Sequence, residues 1–410
     1  MEGAEGSEAD DSGGREPVSA ASRLTDDLVL QILSRLPARS LHRFRCVSRH
    51  WRDLICDPEH RARMAQTLAG FMYIGWSRYD DNNGRSLRFT SSRATPGGGI
   101  GGEAAASPPL IDPLALSLPP GFHQRLFRIQ CCNGLLLLCA WAPSSRGAFK
   151  FNYTVCNPAT DEWTTVPDSL VSDTAAAGCT TARLAFDPSS PSSSAYRIFQ
   201  FQNDGPRTRV SPKVWIYSSE TGVWTCRECG WADGAGVVLR DETSGVFFRG
   251  KLHLCPSEPV IVSVDRDGEK WWTTPKPADP GDDGFLGAPP GFIGVSQGRL
   301  LFLNTPEYNH TKMRVWERGS GLWVPKRSID LEKVIGGWDY RFGLKCSVVG
   351  IHPDRSMVYF LEGKDNRLVL YAMDDGDGET ICELGYKNCY LPFLPYVPVF
   401  ARSLTGRAAA

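Results

Sequence analysis

The chain has 410 residues with 45 basic and 46 acidic side chains. This near-neutral net charge argues against a protein whose whole surface binds a polyanion such as nucleic acid. Hydrophobic residues make up 41%, enough for a sizeable core, and the length suits either two or three average domains or one small module plus one large β architecture. The longest apolar run, Leu135 to Ala142, is shorter than the roughly 18 residues of a membrane span. No membrane association is expected.

The thirteen cysteines have no regular spacing, which favours reduced thiols in a cytoplasmic or nuclear protein. Residues 1–21 are acidic, rich in Gly, Ser and Ala, and unlike a secretory signal, so they are predicted to be a disordered tail. Residues 403–410 are predicted to be a second disordered tail.

Apolar side chains recur at helical spacing from residue 24 onward and predict three short helices. Thr25 suits the N-cap of the first helix, and Pro37 ends it. Ser40 is expected to cap the second helix and Ser48 the third, with Val47 as a staple residue before it. The segment HRARMAQTLA contains good helix formers, so the last helix is expected to extend to about residue 69.

Three helices in about forty residues lie near the lower size limit at which a domain is stable on its own core. Their apolar surface requires a second surface to cover it, which is either the rest of this chain or another protein. Because large exposed apolar patches usually mark interaction sites, the sequence favours a docking module over residues 22–69.

The module contains, in order, Leu24, an acidic pair, Leu28, Ile32-Leu33, Leu36-Pro37, Leu41, Phe44-Arg45-Cys46-Val47-Ser48 and Trp51. In the order and spacing of these residues the module resembles an F-box. Thr25 departs from the family, many of whose members have proline there. The resemblance implies docking on the Skp-type adaptor of a cullin-RING ubiquitin ligase, with some of the apolar residues packing inside the module. The adaptor-binding residues expected from it are Leu24, Leu28, Ile32, Leu33, Leu36, Pro37, Leu41, Phe44, Val47 and Trp51.

Residues 70–402 are predicted to be rich in β-strands. FMYIGW at 71–76 and SLRFT at 86–90 are typical of two strands around a polar loop. Residues 91–109 are predicted to be a flexible loop rich in Gly, Ser and Pro. This loop contains a formal GxGxxG, but it lacks the flanking strand and helix that dinucleotide binding requires.

From about residue 125 the chain repeats a unit of apolar strand, polar turn and strand. The copies YTVCNPATDEW, VWIYSSETGVW, IVSVDRDGEKW and MRVWERGSGLW end at Trp163, Trp224, Trp271 and Trp323, at intervals of 61, 47 and 52 residues. These intervals bracket the period of a propeller blade. A fifth copy, RLVLYAMDDGDGET, lacks the tryptophan.

Upstream apolar segments give each repeat about four strands, and such blades must stack around an axis to bury both faces. The strands at 71–90 and the tail YLPFLPYVPVF at 390–400 are expected to form a sixth, composite blade. The recurrent tryptophans are interpreted as structural, with Gly or Asp in the preceding turn admitting positive φ.

Several short motifs recur in the repeats: the NP-A-T turn at 157–160 followed by Trp163, the GKLHL run at 250–254 and the VW pair at 315–316. Through these motifs, in this order after the F-box-like module, the repeats resemble the F-box-associated, Kelch-like propellers of plant proteins. The expected fold class is therefore multi-domain, with a small all-α F-box module followed by an all-β propeller of about six four-stranded blades.

Catalytic motifs do not stand out. The sequence contains no HExxH, GxSxG or GxxxxGK[ST], so no catalytic residue is assigned and no cofactor is expected. Cys226 and Cys229 form a CxxC pair, and His253 and Cys255 form a second pair downstream, so the residue types match those of a zinc site. The second pair lies within a predicted strand rather than on a knuckle turn, so no metal is expected.

Nucleic-acid binding is the strongest alternative function. Residues 22–63 contain nine arginines and five acidic residues, and Arg43, Arg45, Arg49 and Arg52 are candidates to face phosphates. The apolar positions fit protein docking better, so nucleic acid is not the expected partner. A propeller scaffold acting outside ubiquitination is the other alternative.

The two resemblances together imply a non-catalytic substrate-recognition subunit of an SCF-type cullin-RING E3 ubiquitin ligase. Such a chain contributes proximity between target and charged enzyme. The protein to be ubiquitinated is unknown, and it would dock on propeller loops such as 142–150, 203–212 and 277–290.

Overall fold

The structure of the protein is a computed structural model. It describes residues 24–36, 38–44, 46–57, 60, 68–76, 85–92, 116–119, 122–143, 149–169, 180–188, 195–203, 210–230, 237–240, 243–277, 291–304, 312–331, 334, 346–363, 366–384, 389–399 and 404.

Three short helices form what we call the helical module, residues 24–57: α1 (Asp26–Leu33), α2 (Ala38–Phe44) and α3 (Arg49–Cys56). Ser48 caps α3 as predicted, because its hydroxyl accepts a hydrogen bond from the Trp51 amide at 3.1 Å. Thr25 occupies the N-cap position of α1 with extended backbone, without a side-chain capping bond. None of the described helices combines the length and apolarity needed to cross a membrane.

Two predictions at the helix ends are wrong. The second helix begins at Ala38, which places Ser40 inside the helix rather than at its cap. Val47 is exposed, so it is not a packed staple residue. The third helix ends at Cys56, where Asp57 turns to extended backbone. The predicted extension over 61–67 lies outside the described residues.

The rest of the described chain is almost entirely β-structure, preceded at β3 by a short helix, α4 (Phe122–Arg125). The strands are β1 (Gly70–Trp76), β2 (Arg85–Ser91), β3 (Leu126–Cys132), β4 (Leu135–Pro143), β5 (Phe149–Asn157), β6 (Glu162–Thr165), β7 (Thr180–Phe186), β8 (Tyr196–Asn203), β9 (Val210–Ser218), β10 (Val223–Glu228), β11 (Ser244–Phe248), β12 (Lys251–Cys255), β13 (Val260–Asp265), β14 (Trp271–Pro275), β15 (Phe292–Ser296), β16 (Arg299–Leu303), β17 (Lys312–Arg318), β18 (Trp323–Asp330), β19 (Cys346–Ile351), β20 (Met357–Glu362), β21 (Arg367–Ala372), β22 (Asp377–Glu383) and β23 (Cys389–Tyr396).

These strands form the six blades of a propeller. Five blades are consecutive four-stranded antiparallel sheets, β3–β6, β7–β10, β11–β14, β15–β18 and β19–β22, which we number blades 1 to 5. In the sixth sheet β1 pairs with β2 on one side and with β23 on the other. The prediction of a composite blade built from both ends of the β region is therefore confirmed.

The innermost strands follow one another around the axis. The first strand of each consecutive blade contacts the first strand of the next, and β23 lies between β19 and β3. Apolar clusters fill the spaces between adjacent sheets, such as the cluster of Phe199, Phe201, Leu252 and Leu254 between blades 2 and 3. Each sheet thus buries both faces against its neighbours, as stacking of blades requires.

Side chains of blade 1 hold the end of the closing strand. The Asn157 side-chain amide donates a hydrogen bond to the Val399 carbonyl at 3.0 Å, and both groups are buried. In the β3–β4 turn, Gly134 adopts φ +91°, and a Cβ at this position would overlap the Val397 carbonyl oxygen. The ring is therefore closed by the backbone pairing of β1 with β23 and by the contacts of Asn157 and Gly134 with residues 397–399.

The recurrent tryptophans are mainly structural. Trp224 donates from Nε1 to the Pro167 carbonyl at 2.7 Å, which joins the outer strand of blade 2 to the segment after blade 1. Trp271 and Trp323 are half-buried against the inter-blade clusters, whereas Trp163 is more exposed. Positive φ at Asp161 (54°) in the turn before Trp163 confirms the predicted turn chemistry.

Candidate functional site

The candidate site lies on the helical module, whose interior is closed by its own apolar side chains. Its buried core consists of Val29, Leu33, Leu41, Leu54 and Ile55. Phe44 and Trp51 pack edge to face with ring centroids 5.5 Å apart at the border of this core. Asp26 Oδ1 lies 2.8 Å from His50 Nε2, which links α1 to α3 at the surface. Within the described part of the module, these side chains therefore form a continuous buried core.

Four of the predicted adaptor-binding side chains nevertheless expose more than a third of their surface to solvent. Leu24 is 39% exposed, Leu28 46%, Ile32 45% and Val47 60%. We call these four residues the exposed apolar set. Leu28 and Ile32 are one turn apart on α1, so they share a face of that helix. A helix that is apolar on two faces fits a position between its own core and a second protein.

The structure sorts the other predicted residues by burial. Leu33 and Leu41 are enclosed within the module, and Leu36, Phe44 and Trp51 are half-buried at its edge. Pro37 lies outside the described residues. A partner can reach the exposed apolar set directly, whereas the enclosed pair supports that surface from within.

Charges on the module are mixed. Its exposed arginines with described side chains are Arg35, Arg43, Arg49 and Arg52. Acidic side chains lie among them: Asp26, Asp27, Asp53 and Asp57. Arg45, a further candidate for phosphate contact, lies outside the described residues. This mixed surface is a poor match to a phosphate backbone, which favours a continuous basic stripe.

The propeller ring encloses a channel of about 630 Å³, lined by all six innermost strands. Arg183 of β7 lies almost fully buried in its wall. The Arg183 guanidinium donates from Nη2 to the carbonyl oxygens of Arg240 at 2.6 Å and Thr243 at 3.0 Å. These bonds tie blade 2 to the segment that leads into blade 3, so Arg183 helps to hold the ring together.

The residues of the formal zinc pattern are not brought together. Cys226 is exposed on β10, whereas Cys255 is buried between blades 3 and 4, where burial raises the pKa of its thiol. His253 Nδ1 lies 2.8 Å from Ser263 Oγ. Within the described ranges, no three His, Cys, Asp or Glu side chains gather in a metal-binding arrangement. The longer propeller loops named above lie mostly outside these ranges.

Protonation of His253 is expected to destabilise the propeller in acid. Burial, followed by the charges of Lys251 and Arg318, lowers the pKa of His253 from its usual 6.5 to about 4. The unfolded chain therefore binds this proton first, and stability present above pH 6.5 is lost as the pH falls toward 4. The loss attributable to this one group is about 3 kcal/mol at most.

Urea unfolding of the His253→Gln chain at pH 7 and pH 4.5 checks this expectation, because the variant should lose less stability between the two pH values than the parent. Equal pH dependence of the parent and the His253→Gln chain would contradict the assignment.

Comparison with known proteins divides the chain in the same way as the structure. Residues 21–63 match the F-box domain family, and residues 113–390 match the family described as "F-box protein At3g26010-like, beta-propeller". F-box protein At5g07610 of Arabidopsis thaliana is 27% identical over 383 residues, covering 87% of this chain and 85% of the relative. F-box protein At3g26010 of the same plant is 24% identical over 394 residues, with 90% and 82% covered.

A third Arabidopsis thaliana relative, F-box/kelch-repeat protein At5g43190, is 28% identical over 267 residues, which cover 62% of this chain and 54% of the relative. The resemblances to an F-box and to a plant F-box-associated propeller are both confirmed. The helical module, the six blades and the propeller-family match over more than half of the sequence lead to one conclusion: the chain belongs to the family of F-box proteins with a β-propeller of the At3g26010-like type.

Proposed function

We propose that this protein is the substrate-recognition subunit of an SCF-type cullin-RING ubiquitin ligase. F-box domains in general bind Skp1-type adaptors, and members of the F-box and propeller family are typically non-catalytic. In this proposal the helical module docks on the adaptor and the propeller holds the protein to be ubiquitinated, in the cytoplasm or nucleus. The observation that carries the proposal is the exposed apolar set on a module whose core is already closed.

The energetics of docking follow from this arrangement. Leu28 and Ile32 each retain nearly half of their surface, and burial of that remainder in a partner contributes about 1 kcal/mol per side chain. Two adjacent apolar anchors on one helical face are the usual core of a helix-mediated interface. The rigid ring then fixes the target near the charged enzyme, which raises the effective concentration of its lysines.

The chain with both Leu28→Ser and Ile32→Ser is expected to lose capture by purified Skp-type adaptor. Two lost apolar contacts predict affinity weaker by about 10-fold or more. Neither change touches the buried partners Val29 and Leu33, so the helices should persist. Titration calorimetry or surface plasmon resonance with the full chain measures the effect, and circular dichroism verifies the helices.

Asp53→Ser is the matched control, because Asp53 is also exposed on the module but lies outside the exposed apolar set. The control should bind the adaptor as the parent does. Unchanged affinity of the double variant would remove the exposed apolar set from the docking surface. If the unmodified chain did not bind the adaptor at all, the proposed function itself would be overturned.

A further inference from the structure

A group of cationic side chains lies where blade 3 meets blade 4. Arg249 is in the β11–β12 turn, Lys251 opens β12, and Arg318 ends β17. Arg249 reaches across the junction, since its Nη2 donates to the Gly298 carbonyl at 3.3 Å. We call Arg249, Lys251 and Arg318 the junction cations.

Each junction cation lies against an aromatic ring. Lys251 Nζ is 3.6 Å from the ring centroid of Trp272, and the guanidinium carbons of Arg249 and Arg318 lie 5.0 and 5.3 Å from the rings of Phe248 and Trp323. Cation–π contacts orient a cation without neutralising its charge. Trp272 also keeps part of its ring exposed, which leaves an apolar surface beside the charges.

The neighbouring carboxylates are engaged elsewhere. In the β13–β14 turn, Asp267 and Glu269 pair with Arg197 and Arg227 of blade 2, at 3.6 and 3.9 Å. Glu317, beside Arg318, pairs instead with Lys326 at 2.8 Å and with Arg299.

Asp265 lies opposite Lys251 in the sheet, but its Oδ1 accepts the Glu269 amide hydrogen at 2.8 Å. Among the described side chains, no carboxylate comes within ion-pair distance of a junction cation. Within the described part of the chain, the junction cations therefore form no ion pair that a partner's carboxylates would have to displace.

Two of the junction cations act on one side chain. His253 lies two residues after Lys251 on β12, so these two side chains share a face of the sheet, and both Lys251 of blade 3 and Arg318 of blade 4 contribute to lowering the pKa of His253, after the larger effect of burial. Two cations from separate blades therefore raise the electrostatic potential at one place. A ligand with several negative charges close together gains most from such a site.

We infer that the blade 3–blade 4 junction binds a short acidic peptide segment, rich in Asp and Glu, of the protein that the propeller recruits. This inference rests on the proposed function. Carboxylates of the segment pair with the junction cations while its aliphatic carbons lie against Trp272. A few cations beside exposed aromatic surface match a short peptide better than a nucleic-acid duplex, whose affinity depends on many phosphate contacts along its length.

The test is fluorescence anisotropy with a labelled eight-residue peptide of Asp and Glu, added to the full chain. The same peptide with Asn and Gln in place of the acids tests charge, and a single-stranded oligonucleotide tests the polyanion alternative. The acidic peptide is expected to bind the parent chain. The double variant with both Lys251→Gln and Arg318→Gln is expected to bind this peptide with an affinity at least about 10-fold lower. The amide peptide should bind neither protein.

A Lys213→Gln, Lys312→Gln chain is the matched control, because it loses the same charge at exposed lysines away from the junction. It should bind the acidic peptide within twofold of the parent. Equal weakening in this control, equal binding of the amide peptide, or stronger binding of the oligonucleotide would each overturn the inference. Adaptor capture on the same preparation separates the two proposals, since only failure of that capture counts against the proposed function.

Discussion

Replacement of Gly134 by alanine is expected to lower the free energy of unfolding of the propeller by about 3 kcal/mol or more. Gly134 adopts φ +91°, which costs an L-residue energy wherever it occurs. The added Cβ would also overlap the Val397 carbonyl oxygen and lie 2.9 Å from Val399 Cβ. Because one of these atoms is backbone, relief requires movement of the segment that closes the ring. Urea unfolding followed by tryptophan fluorescence measures the loss.

The β propeller supplies two matched controls for this substitution. Gly250 and Gly298 occupy the equivalent turns of blades 3 and 4 with φ +75° and +68°, and a Cβ at either position meets nothing within 4 Å. Gly250→Ala and Gly298→Ala should therefore show only the conformational cost of about 1–2 kcal/mol. Three equal losses would show that contact with residues 397–399 contributes little to ring closure.

Deletion of residues 389–410 is expected to abolish cooperative folding of the propeller. The deleted segment contains all of β23 and buries Phe393, Tyr396 and Val399. Full burial of each such side chain contributes about 1.5–3 kcal/mol, whereas an entire domain is stable by only about 5–15 kcal/mol. Loss of β23 also leaves β1 unpaired on one edge and separates β19 from β3.

A chain that ends at Leu404 is the control, since it keeps the closing strand and the buried Leu404. Differential scanning fluorimetry and size-exclusion chromatography distinguish the two chains. The control should retain one sharp transition and a compact elution volume. The same transition in the shorter chain would mean that five blades and β1–β2 form a stable body without the sixth sheet being completed.

Regular spacing explains why much of the architecture was predictable from the sequence. Tryptophans about one blade apart reveal repeated outer strands, and a repeat that must stack in a ring needs its remaining strands for closure. Strands at 71–90 and 390–400 were the available segments, and they do pair. Cap positions were less predictable, because Ser40 is a good capping residue in sequence terms yet lies inside α2.

The orientation of α1 was not predictable, because Leu28 adjoins Val29 and Ile32 adjoins Leu33. Apolar residues on two adjacent faces give no signal for which face turns inward. The junction cations were also missed. Arg249 and Arg318 are far apart in the chain, and the sequence does not show that Asp267 and Glu269 turn toward blade 2. Which carboxylate pairs with which cation depends on how neighbouring blades pack against each other.

The order in which the sixth sheet receives its strands bears on synthesis of the chain. β1 is synthesised before the five consecutive blades and its partner β23 after them, so the ring can close only once those blades and β23 have left the ribosome. The helical module is synthesised before all of these strands and contains its own core. A premature stop codon before residue 389 would therefore yield a docking module joined to an open ring. Under the proposed function, such a product would occupy adaptor without presenting a target and would compete with the intact protein.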